Sequence, residues 1–331
     1  MAAPKVASSG RPGSRVDAAL PLVRVPDGAE FTGVLRTDPG AGALGAMGVV
    51  LGVLAYVTFT PLLALALAQG YWLATGRPGT FADTYASLLR YEQPFGMVAS
   101  QLGIALLIPI VAVLMRAVHR VRPAYTYSVR PGLRWRPFLV FLGVALVTMN
   151  AVLWASNAAL GKPFEYHPQP GFGGYLVAIL LTTPLQAAAE EVFFRGYLLQ
   201  ALGSLSAQKW VGILASALVF ALFHGTQNGW LFASRFAFGV LAAVLVVYVG
   251  GLEAGIAAHV VNNVFAFVYA GLSTGIASLK AIKEVTPLDA VADVAMYAVF
   301  TVVALLVARR LRPQTRTGEA SAGLERPGRV R

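Results

Sequence analysis

Two adjacent carboxylates and a guanidinium interrupt the apolar run AAAEEVFFRGYLL at Glu190, Glu191 and Arg195. Further along, His224 ends the stretch ALVFALFH, and His259 lies in GIAAHVVNNVF with Asn263 four residues later. Carboxylates and imidazoles activate water, and imidazole and carboxamide N–H groups stabilise oxyanions, so these residue types together fit hydrolysis. On a helix Glu191 and Arg195 share a face and pair, while Glu190 points about 100° away with no partner in its own helix. One carboxylate is thereby neutralised and the other is left for chemistry. The same four-residue spacing aims His259 and Asn263 into one volume, with Asn262 on a neighbouring face as the weaker candidate. Phe220, one turn before His224, sets the face from which that histidine emerges.

The surroundings of these residues are what make them unusual. Of 331 residues, 57% are apolar and 12% charged, against roughly a quarter charged in soluble domains. Uncharged runs reach the roughly twenty residues that a helix needs to cross a bilayer. An ionisable residue at the centre of such a helix costs about 2.5 to 3.5 kcal/mol on insertion scales and usually faces a cavity or another polar group. The expected fold is therefore all-α, a polytopic membrane protein of about eight transmembrane helices with an intramembrane active-site cavity. With no cysteine in the chain, disulfides, thiol nucleophiles and Cys-ligated metals are excluded. The net charge of +11 is assigned to lipid headgroups and topology, with no nucleic acid partner, because the arginines flank apolar runs.

Spans are expected at about 44–70, 95–115, 137–159, 173–203, 209–226, 230–250, 253–273 and 288–308, inside a domain of residues 42–310. Residues 1–41, rich in Gly, Pro and Ala, read as a flexible tail that stays attached, and 311–331 as a basic tail. Arg116, Arg120, Arg122, Arg130, Arg134 and Arg136 share one loop, and Arg309, Arg310 and Arg312 begin the C-terminal tail. By the positive-inside rule both regions are cytoplasmic, which places both termini inside. At 1.5 Å per residue Glu190 lies about 20 Å before the inner end of its span, His224 about 22 Å along the fifth, and His259 and Asn263 about 12 and 18 Å along the seventh. The depths agree only if the fourth helix runs through the glutamates, with room for a kink at Pro184.

In that order and on separate spans, EEVFFR, FALFH and HVVNN resemble the CAAX-protease and bacteriocin-processing family of intramembrane endopeptidases, also described as type II CAAX prenyl endopeptidase-like. The resemblance covers about residues 170–275. It implies Glu190 with His224 as the pair that holds and deprotonates water, and His259 with Asn263 as oxyanion donors. Glu191 and Arg195 would orient the first pair. A catalytic Zn2+ on Glu190, His224 and His259 is the alternative cofactor reading, weakened by the lack of a His-Glu-x-x-His helix. The family is commonly labelled metalloprotease, and a metal-free glutamate-histidine scheme is also argued; the latter is favoured here. The compositional bias toward Ala, Gly, Val and Arg points to a bacterial cytoplasmic (inner) membrane and to a membrane-associated protein or peptide substrate rather than a prenylated one. A proton- or ion-coupled transporter, or a non-catalytic scaffold of the same fold, stays open.

Other polar residues receive structural readings. His119 and His167 are expected to be solvated or interfacial, Arg235 to snorkel to headgroups, and Glu253, Lys280, Lys283, Glu284, Asp289 and Asp293 to sit at helix ends. Trp230, Tyr248, Tyr269 and Tyr297 read as an aromatic belt. Gly239, Gly251 and Gly255 read as points of close helix approach.

Overall fold

The computed structural model describes residues 21–318, and among these the architecture is helical, with two isolated β-bridges and no strand. Seven helices are long and apolar enough to cross a bilayer: α1 (Ala41–Ala74), α2 (Pro94–Ala117), α3 (Trp135–Ala159), α4 (Phe172–Gly203), α6 (Gly229–Val249), α7 (Glu253–Gly271) and α8 (Pro287–Leu311). Between α4 and α6 lies α5 (Lys209–Leu222), with 14 residues. At about 21 Å it is too short to cross a hydrocarbon layer about 30 Å thick unaided. Its path is completed by residues 223–228, which reach the far side, where the Asn228 amide nitrogen donates to the Lys283 carbonyl at 2.9 Å. The fifth expected span is therefore shorter than 209–226 in helical form, because Gly225 adopts a left-handed conformation (φ +77°) that ends the helix. His224 stands in that turn.

The packing sorts the connections onto two faces. One carries residues 21–40, the arginine-rich loop between α2 and α3, the α6–α7 corner and the chain after α8. There Thr317 N donates to Ala29 O and Ala29 N to Thr317 Oγ1, each at 2.9 Å, Glu30 pairs with Arg316 at 2.9 Å, and Leu252 N donates to Tyr127 O at 2.9 Å. The opposite face carries the short helices Phe81–Leu89 and Ile276–Ala281 and the loop 160–171, whose His167 N donates to Leu272 O at 2.8 Å. Large apolar side chains such as Val113, Val147, Leu181 and Val302 remain exposed on the flanks, as a lipid-facing belt requires and an aqueous surface would not tolerate.

Several expectations need correction. Residues 21–40 are folded rather than part of a flexible tail: Phe31, Val34 and Leu35 are fully buried, and the Arg36 guanidinium donates to the carbonyls of Gly203 and Ser206 at 2.9 and 2.5 Å. The basic tail docks on them as far as Gly318; residues 1–20 and 319–331 lie outside the described residues. His119 is buried beside the Tyr197 hydroxyl (3.1 Å) rather than interfacial, and burial pushes its imidazole down to about 4. His167 is exposed. Trp230 and Tyr248 are exposed as belt residues, whereas Tyr297 is buried against Phe238 (4.5 Å between centroids) and Tyr269 donates inward to Asn150 Oδ1 at 2.7 Å. Glu253 is a helix-end residue but fully buried, clamped by Arg134.

Candidate active site

The fourth helix continues through the glutamates, but not as a regular α-helix. Val192–Leu198 is a π-helical stretch, and all seven of its residues are buried. Phe193, Phe194, Arg195 and Tyr197 project in different directions from it, so the helix is enclosed on every side; a wider turn spreads such bulky side chains. Such π segments recur at functional sites.

From this helix the polar side chains build a single network with α7. Arg195 Nη1 donates to Glu191 Oε1 at 2.9 Å, and the same oxygen lies 2.8 Å from His259 Nδ1. The other ring nitrogen, His259 Nε2, lies 3.4 Å from Glu190 Oε2. Because Glu191 accepts from Nδ1–H, the tautomer is fixed, and a proton on either Nε2 or Glu190 serves the second contact. One turn before Glu190, Gln186 Oε1 accepts from Asn263 Nδ2 at 3.1 Å, and Asn263 Oδ1 accepts from Asn262 Nδ2 at 3.0 Å. Gly255 on α7 permits this approach: a Cβ there would stand 2.9 Å from Glu191 Oε2.

Phe220 has a larger part than setting a helix face. Its ring lies 4.0 Å from the Arg195 guanidinium carbon, with Phe238 on it at 4.9 Å, so the cation is held between aromatic faces. The same ring meets the His224 imidazole at 4.5 Å edge-on. His224 Nδ1 is 2.8 Å from the Phe220 carbonyl. A carbonyl only accepts, so Nδ1 carries the hydrogen and Nε2 of the neutral ring is left as the basic nitrogen.

Glu190, His224, His259 and Asn263 all line one cavity of about 1090 Å³, together with Gln186, Tyr56 and Arg235. Glu190 and His224 face it without a direct hydrogen bond to each other, so any coupling between them runs through what the cavity holds. Glu191 and Arg195, expected to orient Glu190 and His224, make their hydrogen bonds to each other and to His259, whose other ring nitrogen faces Glu190. The structure corrects Arg235, which does not snorkel outward but enters this cavity, its Nη1 donating to Gln227 Oε1 at 2.6 Å. Among the described residues no three His, Cys, Asp or Glu side chains converge as a metal-ligand set. Glu190, His224 and His259 line one cavity without converging on one point, although the Nδ1 contacts of both histidines leave Nε2 facing it, the arrangement a ligating imidazole has.

Three lining residues escaped the sequence reading. Gln186 had a signal, since it stands four residues before Glu190 on the same helical face. Arg235 had a weaker one, as a cation in an apolar span. Tyr56 had none, being an ordinary aromatic in α1.

Residues 172–265, which hold every candidate residue, match the family described as type II CAAX prenyl endopeptidase Rce1-like. An uncharacterized protein of Bacillus subtilis (strain 168), YyaK, is 31% identical over 141 residues, covering 39% of this chain and 47% of that protein. The match thus spans about half the length of that relative. No solved structure matches the chain.

Proposed function

We propose, taking the Rce1-like match as premise, that the protein is an intramembrane endopeptidase that hydrolyses a peptide bond of a membrane-associated protein or peptide. The observation that carries this reading is the placement of Glu190 against His259 Nε2 while Glu191 holds the other ring nitrogen, on the wall of a cavity enclosed by membrane-crossing helices.

In this reading a water molecule is held between Glu190 and His224. Glu190 removes one proton as the water oxygen attacks the scissile carbonyl carbon. The negative charge that develops on the carbonyl oxygen is met by the Asn263 amide and by His259, which donates from Nε2 when its ring carries both protons and Glu191 accepts the other. Collapse of the tetrahedral intermediate breaks the C–N bond, and Glu190 returns its proton to the leaving amine. Arg195 keeps Glu191 ionised and in place, and Phe220 with Phe238 keeps Arg195 in place. No step is routed through a metal. The concentration of arginines on the face that carries both described chain ends supports a cytoplasmic position for both, in a bacterial inner membrane.

The test is cleavage of a peptide library by the purified protein in detergent, followed by mass spectrometry, for wild type, Glu190→Ala and His224→Ala, each with and without a chelator. The expected result is cleavage by wild type alone, insensitive to the chelator. Cleavage by Glu190→Ala at the wild-type rate rejects the mechanism; ion flux that depends on Glu190 would favour the transporter reading, and a cellular phenotype left intact by Glu190→Ala the scaffold reading.

A further inference from the structure

The catalytic cavity contains a cation that the proposed hydrolysis does not use. Arg235 lies in the second turn of α6 and lines the same wall as Glu190 and His224. Of its five N–H donors, one is engaged, by Gln227 Oε1 at 2.6 Å, and that acceptor is neutral. Gln227 is itself fixed, its Nε2 donating to the Ala221 carbonyl at 2.7 Å in the last turn of α5, one turn before His224. The guanidinium is therefore placed by a rigid bracket tied to the same helix end that presents His224.

No described carboxylate is within ion-pair distance of Arg235, and Glu190 on the same wall reaches it only through its field across the cavity. Asp289, which lines the cavity mouth, is engaged by Lys162 and by Thr286. Asp293 stands beside Ser234, and Glu284 belongs to the loop over the opening. By contrast, Arg134 and Arg195 each meet a glutamate within 2.9 Å. A half-buried arginine inside a membrane helix, hydrogen-bonded to a neutral amide and with its remaining donors unmatched, gains from an anion that enters the cavity and takes those donors directly. The planar fork of donors matches a carboxylate, with which it forms paired, charge-assisted hydrogen bonds.

We propose that Arg235 is a substrate-binding residue that recognises a carboxylate of the peptide close to the bond being cut. This inference rests on the endopeptidase reading above. The carboxylate has two possible sources, the free C-terminus of the peptide or an acidic side chain, and both present the same chemistry to the guanidinium.

The experiment starts from any peptide that the full-length protein in detergent cleaves. It is made in matched forms, with a C-terminal carboxylate or carboxamide, and with Asp or Asn near the cleaved bond. Wild type, Arg235→Gln and Arg235→Lys are compared by kcat/KM and, with fluorescent versions, by anisotropy. Wild type is expected to prefer one acid form over its neutral partner by on the order of tenfold, mostly in KM. Arg235→Gln is expected to lose the preference, its kcat/KM falling more on the acid form than on the neutral one, and Arg235→Lys to recover part of it. The pair of peptides that shows the effect identifies the source. An acid-to-neutral ratio unchanged by Arg235→Gln in both pairs overturns the proposal, as does an equal loss on every form, which marks a structural role. If wild type cleaves nothing, the peptidase reading has failed. Anisotropy with fluorescent library peptides, made in the same acid and neutral forms, then decides the inference separately, and equal binding of acid and neutral forms to wild type overturns it.

Discussion

Two buried arginine–glutamate pairs, built from the same groups, do different work in this molecule. At the arginine-rich face, Arg134 uses all three guanidinium nitrogens: Nε and Nη2 donate to Glu253 at 2.7 and 2.6 Å, Nη2 also to Val249 O at 3.1 Å, and Nη1 to Gln314 O at 2.8 Å. Its backbone N–H adds a bond to the same carboxylate at 3.0 Å. This saturated pair ties the start of α3, the α6–α7 corner and the chain after α8 into one unit. In the membrane interior, Arg195 uses one nitrogen on Glu191, and its Nε and Nη2 have no hydrogen-bond partner among the described residues, nor has Glu191 Oε2. One glutamate oxygen serves both Arg195 and His259. A pair that leaves donors and acceptors unmatched in a fully enclosed place is poor cement, since each orphan costs about 1 to 3 kcal/mol. In the proposed function its use is to hold the His259 ring.

The comparison is sharpest if each pair is broken separately. Glu190→Gln, at the reacting end of the interior network, is expected to lower kcat by about 10² to 10⁴, the range for removing a general base, while the thermal unfolding midpoint in detergent stays near wild type. Loss of folding without a specific loss of turnover would move Glu190 to the structural side. Arg134→Met leaves Glu253 buried and unpaired, and should cost about 3 to 5 kcal/mol of stability, with activity per folded molecule retained; an unfolding midpoint equal to wild type would show that the clamp is dispensable. Phe220→Leu removes the ring over Arg195 and the edge contact to His224. The expectation is a loss of about 1 to 2 kcal/mol in stability and a roughly tenfold fall in kcat/KM, worth about 1.4 kcal/mol. Unchanged kinetics would reduce this residue to packing. The smallest effect is expected for Gly255→Ala. Its Cβ, 2.9 Å from Glu191 Oε2, must nudge that carboxylate, reducing kcat a few-fold, about 1 kcal/mol or less, since a displaced orienting group perturbs geometry without removing a reacting one. A rate equal to wild type would show that Glu191 has slack.

Much of this was legible in the chain itself. Apolar runs of spanning length require helices in a bilayer, because no other open segment satisfies its own backbone there, and among the described residues seven helices are of that kind. Local spacing also fixed which side chains share a helical face, as for Glu191 with Arg195. What it could not fix was the partner across helices. Glu191 and Arg195 read as supports for Glu190 and His224, yet they engage His259, sixty-eight positions away from the glutamate. Residues 21–40 read as a tail because their composition is poor in apolar residues, but a few of them, Phe31 and Leu35 among them, suffice once a docking surface exists.

Sequence alone determined that charged and imidazole groups would be carried into the apolar layer, because residue type and helical periodicity are properties of the chain. Only tertiary packing decided that Glu190 would meet His259 rather than pair with His224, and that Arg235 would turn into the cavity rather than out to headgroups. Those choices depend on the rotation of one helix against another and on where Gly225 ends α5, and both are set by the fit of buried surfaces far apart in the chain.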